Sequence, residues 1–199
     1  MHIIITRSFP PEIGGMQNLM WGLARELSKN FMIKVFADYY KDYKNFDEQV
    51  SFSIERVGGI KILRKYRKAQ LINEFVKENK VEAIIADHWK SLELLKTNNK
   101  KICLIHGKEI NHEKGTSLNK RVLKVLDNVE TIIANSQSTK DLAIKLGVKQ
   151  SKIIIINPGV NSVKELNQKT LNKVDDLLKH KSPKLITVSR FDKRKNHEK

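Results

Sequence analysis

At 199 residues the chain can hold one α/β core, or one domain and the beginning of another. Its 40% hydrophobic content with 7% aromatics fits a globular protein, and its longest aliphatic run, the isoleucines at 153–156, is far too short to cross a bilayer. The formal charge of +16 admits an anionic partner, but the lysines are spread along presumed helix faces, so charge alone speaks to solubility and association and not to fold.

The start, Met-His-Ile-Ile-Ile-Thr-Arg, lacks a charged leader and a long apolar core and reads as a first strand, not as a signal peptide. Further short aliphatic runs follow at residues 32–37, 49–57, 81–86, 101–105, 130–134 and 152–156. Helical spacing fills most of the intervals, at 16–29, 63–78, 91–96, 118–126 and 138–146. Continuous aliphatic strands alternating with helices predict a doubly wound parallel α/β sheet covered on both faces. The single cysteine, Cys103, lies inside an apolar run without a partner in the chain, which points to a reducing, cytoplasmic setting.

Helix 63–78 opens with a dense basic segment in which Lys61, Arg64, Lys65, Arg67 and Lys68 surround Leu63 and Tyr66. That composition suits a helix lying on anionic lipid headgroups. After the seventh strand, Asn157-Pro158-Gly159 and a polar helical stretch at 163–179 lead to Ser182-Pro183 and an eighth apolar strand at 185–188. We therefore expect a domain at 1–165, a linker and helix at 166–183, and the first strand and loop of a second domain at 184–199. The eighth strand delivers Arg190, Lys193, Arg194 and Lys195 to one turn, a pattern suited to diphosphate oxygens.

In doubly wound sheets ligands bind outside the carboxyl ends of the strands. The residues at those ends are Arg7 to Gln17 after strand one, Asp87-His88-Trp89 after strand four, His106-Gly107 after strand five, Asn135-Ser136 after strand six and Asn157-Pro158-Gly159 after strand seven. Gly14-Gly15 stands where the first helix begins and serves either as a tight turn or as a phosphate seat, since backbone N–H groups there can approach an anion without Cβ interference. Asp38 occupies the place of a ribose-binding acid, but Gly-x-Gly-x-x-Gly is missing. His106 is the leading candidate for exchanging a hydrogen bond or proton with a sugar hydroxyl. Trp89 reads equally as packing or as a stacking platform, and Ser136 reads first as a helix N-cap.

Spacing excludes several chemistries. There is no P-loop, no second histidine to complete a zinc helix at His112-Glu113, and no Asp-x-Asp seat for a divalent cation. The basic segments lack the interleaved aromatics of single-strand binders.

Phe9-Pro10-Pro11-Glu12-Ile13-Gly14-Gly15-Met16-Gln17, then His106-Gly107, Ala134-Asn135-Ser136, Asn157-Pro158-Gly159-Val160-Asn161, and Ser189-Arg190-Phe191 with Lys195 resemble the retaining glycosyltransferases of family 4. Within the family the chain is most similar to bacterial mannosyltransferases that modify phosphatidylinositol-type glycolipids. The resemblance implies the Rossmann-like N-terminal half of a GT-B fold. It also implies a nucleotide-sugar donor, GDP- or UDP-linked, acting as substrate with no cofactor or metal, and a lipid-linked or glycan acceptor. Gly14 and Gly15 would meet the donor diphosphate from one domain, and Arg190 and Lys195 from the other. Gln17, His88, Arg194 and His106 would face the acceptor or the transferred sugar, with His106, Arg190 and Lys195 as the catalytic set. A Glu-x7-Glu segment and a base pocket would lie beyond Lys199, so the piece by itself is expected to be inactive. Asn196 stands where the family usually has glycine, which leaves the turn after Lys195 open. The alternative is a non-catalytic nucleotide- or anion-binding α/β module; a nucleic-acid binder rests on net charge alone.

Overall fold

The computed structural model describes residues 1–159, 167–179, 182, 183, 185 and 187. The chain forms two compact units, Met1–Val160 and Asn161–Lys199.

The first unit is built on seven parallel strands: β1 (His2–Ile5), β2 (Ile33–Asp38), β3 (Ser53–Val57), β4 (Ala83–Ala86), β5 (Lys100–Ile105), β6 (Thr131–Ala134) and β7 (Ile153–Ile155). They lie in the order β3-β2-β1-β4-β5-β6-β7, so the winding reverses between β1 and β4. Isoleucine runs form these strands because side chains alternate between two covered faces. Ile3 and Ile5 join one core with Phe36, Ile72, Ile84 and Ile105, while Ile4 joins the other with Phe9, Met20, Val35 and Phe52. Ile3, Ile4 and Ile5 are completely buried, each worth roughly 1.5–3 kcal/mol of transfer free energy.

The helices are α1 (Gly15–Ser28), α2 (Lys44–Asp47), α3 (Lys61–Glu78), α4 (Trp89–Leu92), α5 (Ser117–Asp127) and α6 (Gln137–Leu146). The parallel sheet with its helices is the α/β architecture expected from the alternation of runs. Two details differ. The strand expected at 49–57 begins only at Ser53, because the one-turn helix α2 carries Phe46 toward the core and Phe52 must then turn in beside Phe9. The helix expected at 91–96 is instead a single turn at Trp89–Leu92. Beyond it Asn73 of α3 takes over the backbone, donating to Leu94 O (3.4 Å) and accepting from Lys96 N (2.8 Å).

In the second unit, α7 (Gln168–Leu178) is capped by Asn167, whose Oδ1 accepts from Thr170 N at 2.8 Å. The eighth strand and its basic loop, with Arg190, Lys193, Arg194 and Lys195, lie outside the described residues. No helix among the described residues is long and apolar enough to cross a membrane.

Candidate functional site

The carboxyl ends of β1 and β4 meet at the reversal of the winding, and the buried side chain of Asp87 organises them. Asp87 accepts from the Thr6 hydroxyl (2.8 Å), the Arg7 backbone N–H (3.0 Å) and the Ser91 hydroxyl (3.1 Å). From the other side, Lys68 of α3 donates to the Thr6 carbonyl at 2.7 Å and pairs with Asp38 at the end of β2, which Arg64 also reaches at 3.2 Å. Lys68 is 5% exposed, and burial pulls its ammonium below the usual lysine range while the Asp38 carboxylate resists that shift. Asp38, the candidate ribose acid, is thus occupied by the chain's own cations.

The loop from Thr6 carries the chain into α1. Phe9 is buried between Phe46 and Phe52, and the Pro10–Pro11 peptide is cis. Gly14 is the N-cap in extended backbone and offers no side chain to the helix; the first turn contains no acidic residue. The leading N–H groups of α1 therefore lack a side-chain cap, and the positive end of a 14-residue helix points at the rim. Apart from its own turn of helix, a Cβ at Gly15 would meet no atom of the described residues within 4 Å, so this backbone is open on that side. At Gly14 a Cβ would lie 2.3 Å from Gln17 Oε1. Gln17, expected to face the acceptor, is folded over Gly14 and is largely buried.

His88 and His106 stand beyond β4 and β5. The Nδ1 of His88 accepts from Lys90 N at 3.0 Å, which caps α4 and leaves the neutral ring its proton on Nε2. Burial, followed by the charges of Arg7 and Lys90, lowers its pKa to about 4. His106 is fixed through its backbone N–H, which donates to Glu109 Oε1 at 2.5 Å, while its buried Nε2 has no hydrogen-bond partner among the described residues. Gly107 follows with φ 101°, a conformation that favours glycine and lets the chain turn beside Thr139. Trp89 is completely buried and donates to Glu109 O at 3.0 Å, so it packs and is no stacking platform.

Ser136 caps α6 by accepting from Thr139 N at 3.2 Å, as its sequence context indicates. Asn157 ties the end of β7 to β6 by donating to Asn135 O at 3.1 Å. Gly14, Gly15, Gln17, His88 and His106 all follow carboxyl ends of strands in one sheet. Arg190, Arg194 and Lys195 lie outside the described residues.

Two features of this rim escaped the sequence reading. Lys68 and Arg64, grouped there with a lipid-facing basic segment, turn inward to Asp38. Arg56, unremarked in the sequence, is buried against the loop that leads to Gly14. Spacing carried the first signal, since Lys68 lies four and seven residues before Ile72 and Phe75 on the stripe that faces the core.

A cleft of about 760 Å³ lies at the opposite ends of the strands, against Lys100, Lys101, Arg121, Asp127 and Lys152. Its basic groups are largely consumed internally: Lys101 bonds Thr97 O, Lys152 bonds Val129 O (2.9 Å), Lys100 pairs with Glu130 (2.9 Å) and Arg121 with Glu93 (2.7 Å). The chemistry gathers at the other end.

Fold and rim together define a Rossmann-like α/β protein with an uncapped helix N-terminus at its switch point. The sequence profile of Glycosyltransferase Family 4 matches residues 13–164, and the chain belongs to that family. No curated protein matches it. Among solved structures it is similar to HepE from Anabaena in complex with UDP-glucose, at 15% identity and a TM-score of 0.66 over 89% of this chain and 50% of that one. Sucrose-phosphate synthase from Thermosynechococcus elongatus matches at 13% identity and 0.60, over 81% and 49% of the two chains. UDP-GlcNAc 2-epimerase from Methanocaldococcus jannaschii matches at 14% and 0.58, over 79% and 46%. The chain thus spans about half the length of these structures, and what they share with it is the Rossmann-like fold of GT-B enzymes.

Proposed function

We propose that the chain is the acceptor-side half of a retaining, metal-independent glycosyltransferase that moves a sugar, mannose in the closest reading, from a nucleotide-sugar to a lipid-linked or polysaccharide acceptor of the cell envelope. The observation that carries this reading is the open backbone at Gly15 on the uncapped N-terminus of α1, in a chain of family 4. HepE is seen with UDP and with UDP-glucose, which supports a sugar diphosphate as the anion. The donor base, uridine or guanosine, is left to experiment.

Cleaving the anomeric carbon–oxygen bond leaves an oxocarbenium-like sugar and a departing diphosphate, so fixed positive groups on the leaving anion lower the barrier most. The helix N-terminus would supply part of that field. In this proposal Arg190 and Lys195, on the second domain that begins at 184, supply the rest, while Arg194, His88 and Gln17 serve the acceptor. His106 would direct its unpartnered Nε2 at a sugar hydroxyl. The departing phosphate oxygen would accept the acceptor's proton on the same face, which retains configuration. The alternative is a non-catalytic nucleotide- or anion-binding module, in which Asp38, paired with Lys68 and Arg64, would not be free to take a ribose.

Peripheral attachment to the cytoplasmic face of an anionic membrane belongs to the same proposal. The first turns of α3 expose Ile62, Leu63 and Tyr66 together with Lys61, Lys65 and Arg67. These turns follow β3, at the same end of the sheet as Gly15, so a docked helix would bring the rim to the headgroups.

The test is nucleotide release by the full-length protein from UDP- and GDP-sugars, with phosphatidylinositol vesicles as acceptor and with the 1–165 piece as control. Release that depends on acceptor, in the full-length protein only, is expected. Nucleotide binding without release would favour the non-catalytic module.

A further inference from the structure

The Gly14–Gly15 seat has to be held in place by something, and no side-chain hydrogen bond among the described residues restrains positions 11–15. The restraint comes earlier in the loop. At its start Asp87 and Lys68 hold Thr6 and Arg7. At its middle the anchor is Arg56, which comes from the edge strand β3 and crosses to the loop after β1.

The Arg56 side chain is 3% exposed. Its Nε and Nη2 grip Asp47 of α2 at 3.0 and 2.6 Å, and Nη2 also donates to the Pro10 carbonyl at 2.5 Å. The guanidinium lies 5.5 Å from the Phe9 ring and 5.7 Å from the Tyr43 ring, which limit its sideways freedom. Nη1 is buried without a hydrogen-bond partner among the described residues. Sealing a guanidinium beneath a surface loop, with one nitrogen unsatisfied, is costly for stability alone. The arrangement does fix the height of the Pro10 carbonyl over the sheet, and the chain reaches Gly14 four residues later.

We propose that Arg56, oriented by Asp47, is a positioning residue for diphosphate binding: it holds the β1–α1 loop so that the α1 N-terminus at Gly15 is presented in the donor-ready geometry. Only a planar fork can chelate Asp47 and still donate to Pro10, so lysine is no substitute despite its charge. This inference rests on the nucleotide-sugar reading above and adds to it a residue that touches no substrate.

The experiment titrates the full-length protein with UDP and with GDP by calorimetry, comparing wild type, Arg56→Lys, Asp47→Asn and Glu55→Gln. Glu55 neighbours Arg56 on β3 but pairs with Lys34 at 3.5 Å, so it reports on the strand without the clamp. Expected is a loss of roughly tenfold in affinity for the nucleotide that the wild type binds, in both clamp variants and not in Glu55→Gln, measured well below the melting temperature of each. Asp47→Asn keeps size and shape, so it serves if Arg56→Lys does not fold. Unchanged affinity in a folded clamp variant overturns the clamp and leaves the nucleotide-sugar reading standing. A wild type that binds neither nucleotide overturns both.

Discussion

Lys65 and Lys68 stand three residues apart on α3, yet one is solvated and the other sealed. Lys68 is 5% exposed, bonded to Thr6 O and paired with Asp38. Lys65 is exposed, lies over the Tyr66 ring at 4.8 Å and has no carboxylate partner among the described residues. The same divide separates Arg64, turned inward to Asp38, from Arg67, which is exposed. Position along the helix makes the difference: residues 65, 68 and 72 share one stripe, but the turns before Lys68 are exposed and burial begins only there, while 62, 63, 66 and 67 share the face away from the sheet. Identical charges therefore do two kinds of work, and net charge reports on neither.

The comparison is broken most severely by Lys68→Met. Removing Lys68 leaves Asp38 with Arg64 as its remaining partner and frees the Thr6 carbonyl, so unfolding in urea is expected to show a loss of about 3 kcal/mol. Adding Asp38→Asn should restore part of it; a double variant no better than the single would mean that the pair is not the source. Asp87→Ala comes next, because three donors lose one acceptor, with an expected cost of roughly 1–3 kcal/mol and a lowered affinity for the nucleotide.

A smaller effect is expected from His88. Its folded pKa of about 4 lies below the ordinary histidine value, so the folded state binds fewer protons than the unfolded state between these limits. Its share of stability is complete above about pH 6.5 and is lost as pH falls toward 4. His88→Asn should flatten that part of the pH–stability curve, and an unaltered curve would reassign the slope to other groups.

The exposed first turns of α3 should respond in the opposite sense. Replacing Lys61, Lys65 and Arg67 together by Ala is expected to leave urea stability within about 0.5 kcal/mol, as for exposed charges generally. Sedimentation with phosphatidylcholine vesicles containing phosphatidylglycerol should nevertheless fall about a hundredfold in affinity, at about 1 kcal/mol per basic residue. Equal sedimentation of the wild type with pure phosphatidylcholine would remove the anionic surface from the account.

How far all this could be read from the chain depends on the range of the signal. Runs such as the isoleucines of β1 and β7 announce buried strands locally, and Gly14-Gly15 announces an unhindered helix start. α2 escaped because one turn with a single large apolar residue, Phe46, has no period to detect. Arg56 escaped because its meaning depends on Pro10, forty-six residues away in sequence. Lys68 was misread because lysine is so seldom sealed inside that its place on the apolar stripe carried less weight than its charge.

The central claim is that the backbone at Gly15 receives a diphosphate. Gly15→Val tests it directly, since beyond its own turn of helix a Cβ there meets no atom of the described residues within 4 Å and the backbone is not left-handed. In the full-length protein the account predicts an unaltered melting temperature with nucleotide-sugar affinity lowered by tenfold or more, at about 1.4 kcal/mol per decade. Wild-type affinity in that variant would contradict it.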